Sequence, residues 1–196
     1  MTEQLSDGSL DRLFRRARSR NSWRPDPVPQ ARLREIYELA KWGPTSANVS
    51  PGRFVFLTSE AAKARIAPHL SEANRGKSLA APVVAIVAYD LAFAEKIPEL
   101  FPHNPGAKDW FADPALAQET TFRNSSLQGA YLMLAARALG LDCGPMSGFD
   151  RAGVDAEFFA DGTWRSNFLC NIGYGSEENT FERLPRLAFD DACRIL

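Results

Sequence analysis

Apolar positions along the chain follow two periods, and their order predicts a domain of mixed helix and strand. From about Gln30, residues Leu33, Ile36, Tyr37, Ala40 and Lys41 fall at helical intervals, an apolar stripe with one snorkelling lysine, and Gly43-Pro44 ends it. Upstream, Leu10, Leu13 and Phe14 among charged neighbours predict a first helix that ends near Arg18-Ser19-Arg20-Asn21, ahead of Pro25, Pro27 and Pro29. Arg53 to Thr58 and Val83 to Tyr89 are rich in β-branched and aromatic residues. The second run is almost continuously apolar, as a strand covered on both faces would be. Roughly Glu60 to Leu70, between them, reads as helix. A long helix from about Leu116 to Leu139 places Leu127, Tyr131, Leu134 and Ala138 on one side and ends at Gly140, a natural C-terminal cap. Phe168 to Tyr174 reads as a further buried strand, and Leu187 to Leu196 as a terminal segment. Between Asp90 and Pro114 the chain is irregular and aromatic, with Phe93, Phe101, His103, Trp110 and Phe111. That stretch reads either as a lid over a substrate or as a plain surface excursion.

The 196 residues, 45% of them hydrophobic, supply one substantial core and fall short of two independent domains, so residues 1–196 are expected to form a single domain. The 23 basic and 24 acidic residues leave a formal charge of −1 with no long block of either sign. This argues against nucleic acid or an anionic membrane as partner and leaves small anions open. Cys143, Cys170 and Cys193 are far apart in sequence, and His69 and His103 are the two histidines. Neither a disulfide framework nor a metal site is expected from them, and the cysteines read as small apolar residues in or near the core. Met1 to Asp7 carries no basic-then-apolar leader pattern and no later stretch approaches membrane-spanning length, so a reducing, cytoplasmic setting is expected.

No Gly-x-Gly-x-x-Gly follows a strand and no Gly-x-x-x-x-Gly-Lys-Ser/Thr occurs, which removes support for a Rossmann site or a P-loop. Gly144-Pro145-Met146-Ser147-Gly148 has its serine one place late for a nucleophile elbow, which argues against a hydrolase. Trp42 to Pro51 packs Gly43, Pro44, Thr45, Ser46, Asn48 and Ser50 between a helix and a strand. Such a loop of turn formers and hydrogen-bonding side chains reads as a wrap for a flat polar ligand or as an ordinary connector. Three basic clusters, Arg18-Ser19-Arg20-Asn21, Asn74-Arg75-Gly76-Lys77 and Arg183-Leu184-Pro185-Arg186, read singly as solvated charge. Together with the loop they read as donors converging on a phosphate.

These residues resemble the nitroreductase family of flavoproteins over nearly the whole chain. The loop is similar to the family's Pro-Ser-Ser/Ala-x-Asn-x-Gln-Pro segment, which implies flavin contacts from Pro44, Thr45, Ser46 and Asn48, with Ser50 and Gly52 in place of the usual Gln and Trp. Arg18-Ser19 matches part of an Arg-x-Ser-x-Arg/Lys motif, while Ala17 and Asn21 stand where basic residues are usual. The resemblance therefore implies Arg18, Ser19 and Arg20 as phosphate ligands without deciding between the two arginines. Asn74 and Lys77 resemble the residues that touch the ribityl chain and ring. Arg186 resembles the C-terminal phosphate-binding Arg of a Lys-x-Arg pair, with Leu184 in place of the lysine. Pro145, Met146, Ser147 and Gly148 resemble the segment crossing the flavin face, where a backbone N–H approaches N5.

The resemblance implies an α+β fold, a mixed sheet flanked by helices, in an intertwined homodimer with two flavin sites built from both subunits and the long helix at the interface. It implies FMN as cofactor, NADH or NADPH as co-substrate, ping-pong hydride transfer through flavin N5, and no catalytic side chain. Trp-Gly-Pro-Thr-Ser-Ala-Asn, Phe-Arg-Asn-Ser-Ser, Gly-Pro-Met-Ser-Gly-Phe-Asp and Asn-Ile-Gly-Tyr-Gly together resemble the malonic semialdehyde reductase branch of pyrimidine catabolism. That branch implies 3-hydroxypropionate as product, with Arg53 or Arg123 as the cation for the substrate carboxylate. A broad nitro- or quinone reductase with an aromatic-lined site, and a flavin-binding protein without turnover, are the alternatives.

Overall fold

The computed structural model describes residues 3–196 and builds a sheet in the order β1-β2-β4-β3 from β1 (Gly52–Leu57), β2 (Val83–Asp90), β3 (Asp142–Met146) and β4 (Trp164–Gly173). The helices are α1 (Asp7–Leu10), α2 (Gln30–Ala40), α3 (Glu60–Ile66), α4 (Glu72–Leu79), α5 (Ile97–Leu100), α6 (Pro114–Ala138), α7 (Arg151–Phe158) and α8 (Phe189–Ala192). Buried along its whole length, β2 alternates between two cores. Val83, Ala85 and Val87 meet Leu33 and Ile36 of α2 and Leu132 and Ala136 of α6, whereas Val84, Ile86 and Ala88 meet Ile66 of α3 and Val154 of α7. The sheet is therefore the middle of three layers, and its central strand carries no polar face because neither side meets water.

The α+β arrangement is the expected one, but the mixed sheet is corrected: all the neighbouring strands pair antiparallel, with Val55 facing Ile86 and both Ile86 and Met146 facing Leu169. A parallel pairing is recorded at the isolated bridge between Ser19 and Cys143. Apolar runs reveal which strands are buried, while direction depends on which neighbour each strand takes in the folded chain.

Other differences have local causes. α1 continues as a π turn, Asp11–Arg15, and ends there instead of near Arg18 to Asn21; residues 16–29 form an arm that bridges Ser19 to Cys143 and Trp23 to Gly175. The helix expected from Glu60 to Leu70 yields after Ile66 to a 3-10 turn, Ala67–His69, with a proline in its first turn. α4 escaped the pattern because Ser78 is its one buried residue, so it shows no apolar stripe. β3 escaped because Gly144 and Pro145 read as a turn; the proline is tolerated on an edge strand. Residues 91–113 are not irregular. They form a 3-10 turn (Phe93–Lys96), α5 and a 3-10 helix (Pro105–Phe111), and Phe93, Ile97 and Ala107 close a third core over Ala47 and Val49.

α6 reverses the expected polarity. Leu127 and Tyr131, read as a packed stripe, are 46% and 39% exposed, and Leu116, three turns before Leu127, is exposed on the same side. Thr121, Asn124, Ser125 and Gln128 are buried instead. The helix comes close to the sheet at Gly129, where a Cβ would lie 2.5 Å from Phe168 Cζ and 3.1 Å from Val87 Cγ1. Gly129→Val is expected to destabilise the fold by roughly 1–3 kcal/mol through overpacking, seen as a lower denaturation midpoint at unchanged slope.

Candidate functional site

The loop after α2 holds an unusual backbone: Ala47, Asn48 and Ser50 have φ of 45°, 51° and 38°. Each is a left-handed position without glycine, costing on the order of 1 kcal/mol, and such strain persists where surrounding contacts impose it. Here α6 imposes it. Asn124 Oδ1 accepts from the Ser46 backbone N–H at 2.9 Å and its Nδ2 donates to Ser46 Oγ at 3.3 Å, while one turn later Gln128 Oε1 accepts from the buried Gly52 N–H at 2.6 Å. Thr45 Oγ1 accepts from Ser50 N at 3.1 Å, closing the loop on itself. Asn48 Nδ2 donates to the Leu100 carbonyl at 2.8 Å, which ties the loop to the 91–113 segment. Asn124 and Gln128 were missed by sequence reasoning; two amides four residues apart on a helix otherwise read as surface are the signal that would have found them.

A second cluster gathers at the β3 edge. The N-terminal arm, α4 and the β3 exit meet through Lys77: its Nζ donates to Asn21 Oδ1 at 3.2 Å, and its carbonyl accepts from Trp23 Nε1 at 3.1 Å and Asn171 Nδ2 at 3.4 Å. Ser78 Oγ donates to Met146 Sδ at 3.4 Å. Asn74 Nδ2 donates to the Gly148 carbonyl at 2.9 Å, an approach glycine permits, since a Cβ at Gly148 would lie 2.6 Å from that nitrogen. Ser19, Lys77, Asn74 and the Pro145 to Gly148 segment are thus brought together.

Next to them lies a cavity of about 670 Å³ lined by Arg12, Arg16, Arg18, Arg20 and Arg183 together with Asp142 and Glu177. Arg20 is its pivot, with a side chain 11% exposed and a buried Nε that has no hydrogen-bond partner among the described residues and lies 3.9 Å from Asp142 Oδ2. Its Nη1 donates to the Ser176 carbonyl and Thr180 Oγ1, each at 3.1 Å, and its Nη2 pairs with Glu177 Oε1 at 3.0 Å. That hydrogen bond, and then the charges of Arg20, Arg18 and Arg16, hold the Glu177 carboxyl below the usual carboxylate range. Arg18 donates to the Phe181 carbonyl, and Arg183 to the carbonyls of Arg15 and Ala17.

Three expected residues stand elsewhere. Arg186 makes only local bonds, to the carbonyls of Leu184 and Pro185, and Arg183 takes the place beside Arg18 and Arg20. Arg53 is engaged by Asp90 at 2.5 Å and by the carbonyls of Ser50 and Gly52. Arg123 pairs with Glu119 on the exposed side of α6. The loop leads into β1 and the arginine cavity borders the arm on β3, the two edge strands of the sheet, which lie three strand spacings or about 14 Å apart, and the loop's hydrogen bonds run to α6 and the 91–113 segment, away from the β3 cluster. Cys143 and Cys170 are buried, and their mutual contact together with desolvation pushes the Cys170 thiol well above its ordinary range, so it is not a ready nucleophile.

The model of the Nitroreductase family matches residues 14–174. A protein of Stenotrophomonas maltophilia, named for NADH dehydrogenase and NAD(P)H nitroreductase activity, is 58% identical over 196 residues, covering all of both chains. A similarly named protein of Caulobacter is 56% identical over 98% of this chain and 99% of its own. A nitroreductase-type structure from Exiguobacterium sibiricum, solved with FMN, superposes with a TM-score of 0.86 at 20% identity, covering all of both chains.

Gln128→Leu keeps the bulk of the side chain and removes the acceptor, leaving the buried Gly52 N–H unsatisfied. The expected cost is about 1–3 kcal/mol, read by urea denaturation, with faster amide exchange at Gly52 than at the neighbouring strand positions.

Proposed function

The chain belongs to the nitroreductase family, and from that premise we propose that it reduces malonic semialdehyde to 3-hydroxypropionate with NADH or NADPH in a ping-pong sequence. It is an oxidoreductase that works with FMN and NAD(P)H. When bound, FMN supplies hydride acceptance from the nicotinamide and hydride donation to the substrate. The reaction balances as aldehyde plus NAD(P)H plus a proton giving alcohol plus NAD(P)+.

The observation that carries the reading is the pair of half-sites. The residues fit the cofactor: Arg18, Arg20 and Arg183 surround a cavity of phosphate-binding character in which the buried Arg20 Nε has no hydrogen-bond partner among the described residues, the Asp142 carboxylate standing 3.9 Å away. Arg18, Ser19 and Arg20 would hold the phosphate. Asn74 and Lys77 would hold the ribityl chain and ring edge, and Pro145, Met146, Ser147 and Gly148 would supply the backbone beside the ring. The loop half, with Pro44, Thr45, Ser46 and Asn48, sits at the other sheet edge, so a complete site calls for the loop of a second protomer. The exposed apolar side of α6, with Leu116, Leu127 and Tyr131, is what a homodimer would cover. Residues 1–196 act as one unit in this reading, and a cytoplasmic setting, where NAD(P)H is supplied, would suit the reaction.

For the substrate carboxylate, Arg123 is the better candidate of the two arginines. It adjoins Asn124, which holds the loop, and its recorded partner is an exposed glutamate, whereas Arg53 is already held by Asp90 and two carbonyls. A broad nitro- or quinone reductase is the second reading, favoured by the half-exposed Trp110 set edge-on to Phe101 and by the pairing of both arginines with acids.

An anaerobic spectrum of the purified protein tests the assignment. A yellow band bleached by NADH or NADPH and restored quickly by malonic semialdehyde, slowly by a nitrofuran, is expected; faster recovery with the nitrofuran selects the second reading, and a protein that takes up no FMN removes both. Arg123→Ala is expected to raise KM for the aldehyde several-fold and leave the nitrofuran unaffected. An unchanged KM takes Arg123 out of this role.

A further inference from the structure

The C-terminal stretch after β4 is held to the N-terminal arm by polar contacts alone. Ser176 N donates to the Ser22 carbonyl at 3.1 Å, Ser176 Oγ to Ser22 Oγ at 2.9 Å, and Asn21 Nδ2 to the Asn179 carbonyl at 3.4 Å. Further ties are the bond from the Ser22 hydroxyl to the Glu178 carbonyl and the arginine contacts already described, from Arg18 to Phe181, from Arg20 to Ser176, Glu177 and Thr180, and from Arg183 back to the arm. Apolar packing adds little, since Phe181, Leu184 and Leu187 are 76%, 72% and 75% exposed. The guanidinium groups therefore spend their donors on carbonyl oxygens, the Thr180 hydroxyl and the Glu177 carboxylate, with the Asp142 carboxylate 3.9 Å from Arg20 Nε, the same kind of oxygen ligand a phosphate presents. Two glycines shape the space for Arg20. A Cβ at Gly175 would lie 2.8 Å from Arg20 Nε and one at Gly144 would lie 2.5 Å from the Arg20 carbonyl. The arginine is fixed, and what varies is the oxygen it holds.

We infer that Glu177 is an internal occupant of the arginine cavity and competes with an incoming phosphate for Arg20 and Arg18, so that docking of residues 176–183 and anion binding oppose each other. This rests on the reading of the cavity as the flavin phosphate site and adds the control of its affinity. The Glu177 side chain is 86% exposed while Arg20 is buried, so the carboxylate is the partner free to leave. The hydrogen bond from Arg20, and then the charges of Arg20, Arg18 and Arg16, lower its proton affinity, and a phosphate in a cavity lined by these arginines would meet the same cations.

Glu177→Gln keeps the shape and removes the charge. Glu178→Gln removes the same net charge from the neighbouring position, whose carbonyl, not its carboxylate, accepts from Ser22. FMN and riboflavin binding to full-length protein are followed by flavin fluorescence, and amide exchange of residues 176–183 is measured with and without saturating inorganic phosphate. Glu177→Gln is expected to bind FMN about two- to fivefold tighter, the range of one exposed ion pair. Riboflavin, which lacks the phosphate, binds both proteins equally, and Glu178→Gln matches wild type. Phosphate speeds exchange of the stretch in wild type and has little effect in Glu177→Gln, where it is already fast. Unchanged or weaker FMN binding by Glu177→Gln overturns the inference, because Glu177 then orients Arg20 for the phosphate instead of competing with it. Equal gains in both variants overturn it too, as a general charge effect. If wild type binds no flavin, the cofactor reading fails, and the phosphate-dependent exchange alone decides whether the competition exists.

Discussion

Everything at the loop depends on how closely α6 can approach the sheet. Gly129 lets the helix lie against Phe168 and Val87, and only at that separation can Asn124 and Gln128 reach Ser46 and Gly52. A helix with a larger residue there would stand off by the thickness of a side chain, and a hydrogen bond of 2.6 Å does not survive such a shift. The two amides then oblige Ala47, Asn48 and Ser50 to keep left-handed backbone that none of them favours. The polar row buried on the first half of α6 is the consequence: it faces the loop's backbone donors, while Leu132, Ala135 and Ala136 further along the helix enter the core and Leu116, Leu127 and Tyr131 are left exposed.

This inversion links the fold to the assembly proposed above. A helix that spends its buried face on hydrogen bonds has its apolar surface available for another body, and the loop it positions lies at the sheet edge opposite to the cavity with the phosphate-binding donors. A dimer answers both features at once, covering the exposed face and bringing a loop to a cavity. The third small core, where Phe93, Ile97 and Ala107 pack on Ala47 and Val49, adds a further support beneath the loop and joins it to a segment whose aromatic residues Phe101 and Trp110 stand toward its exposed rim.

At the other edge the governing force is charge. Arg12, Arg15, Arg16, Arg18, Arg20 and Arg183 crowd one end of the molecule, and the chain neutralises them with carbonyls and acidic side chains from its own termini. Arg12 caps the end of α6 through the carbonyls of Arg137 and Leu141 and so belongs to the scaffold. Arg20 is built into the molecule by the glycines on either side, whereas its exposed carboxylate partner is replaceable. Permanent and exchangeable partners around one guanidinium are what a binding site requires.

The sequence by itself determined the buried strands Val83 to Tyr89 and Phe168 to Tyr174, the helix from Gln30, the loop at Pro44 to Ser50 and the family resemblance, because continuous apolar runs, a 3.6-residue stripe and a dense cluster of turn formers are properties of a single stretch of chain. Tertiary structure decided the antiparallel pairing, the face α6 turns to the sheet, the α4 and β3 elements, and the placement of Arg183 in preference to Arg186 beside Arg20. Arg53 and Arg123 carry the same charge in the sequence, yet one is enclosed by Asp90 and carbonyls and the other stands on an open helix face. Periodicity reports the contrast between water and interior along one element. The partner a polar group finds depends on which distant segment the core brings within about 3 Å of it.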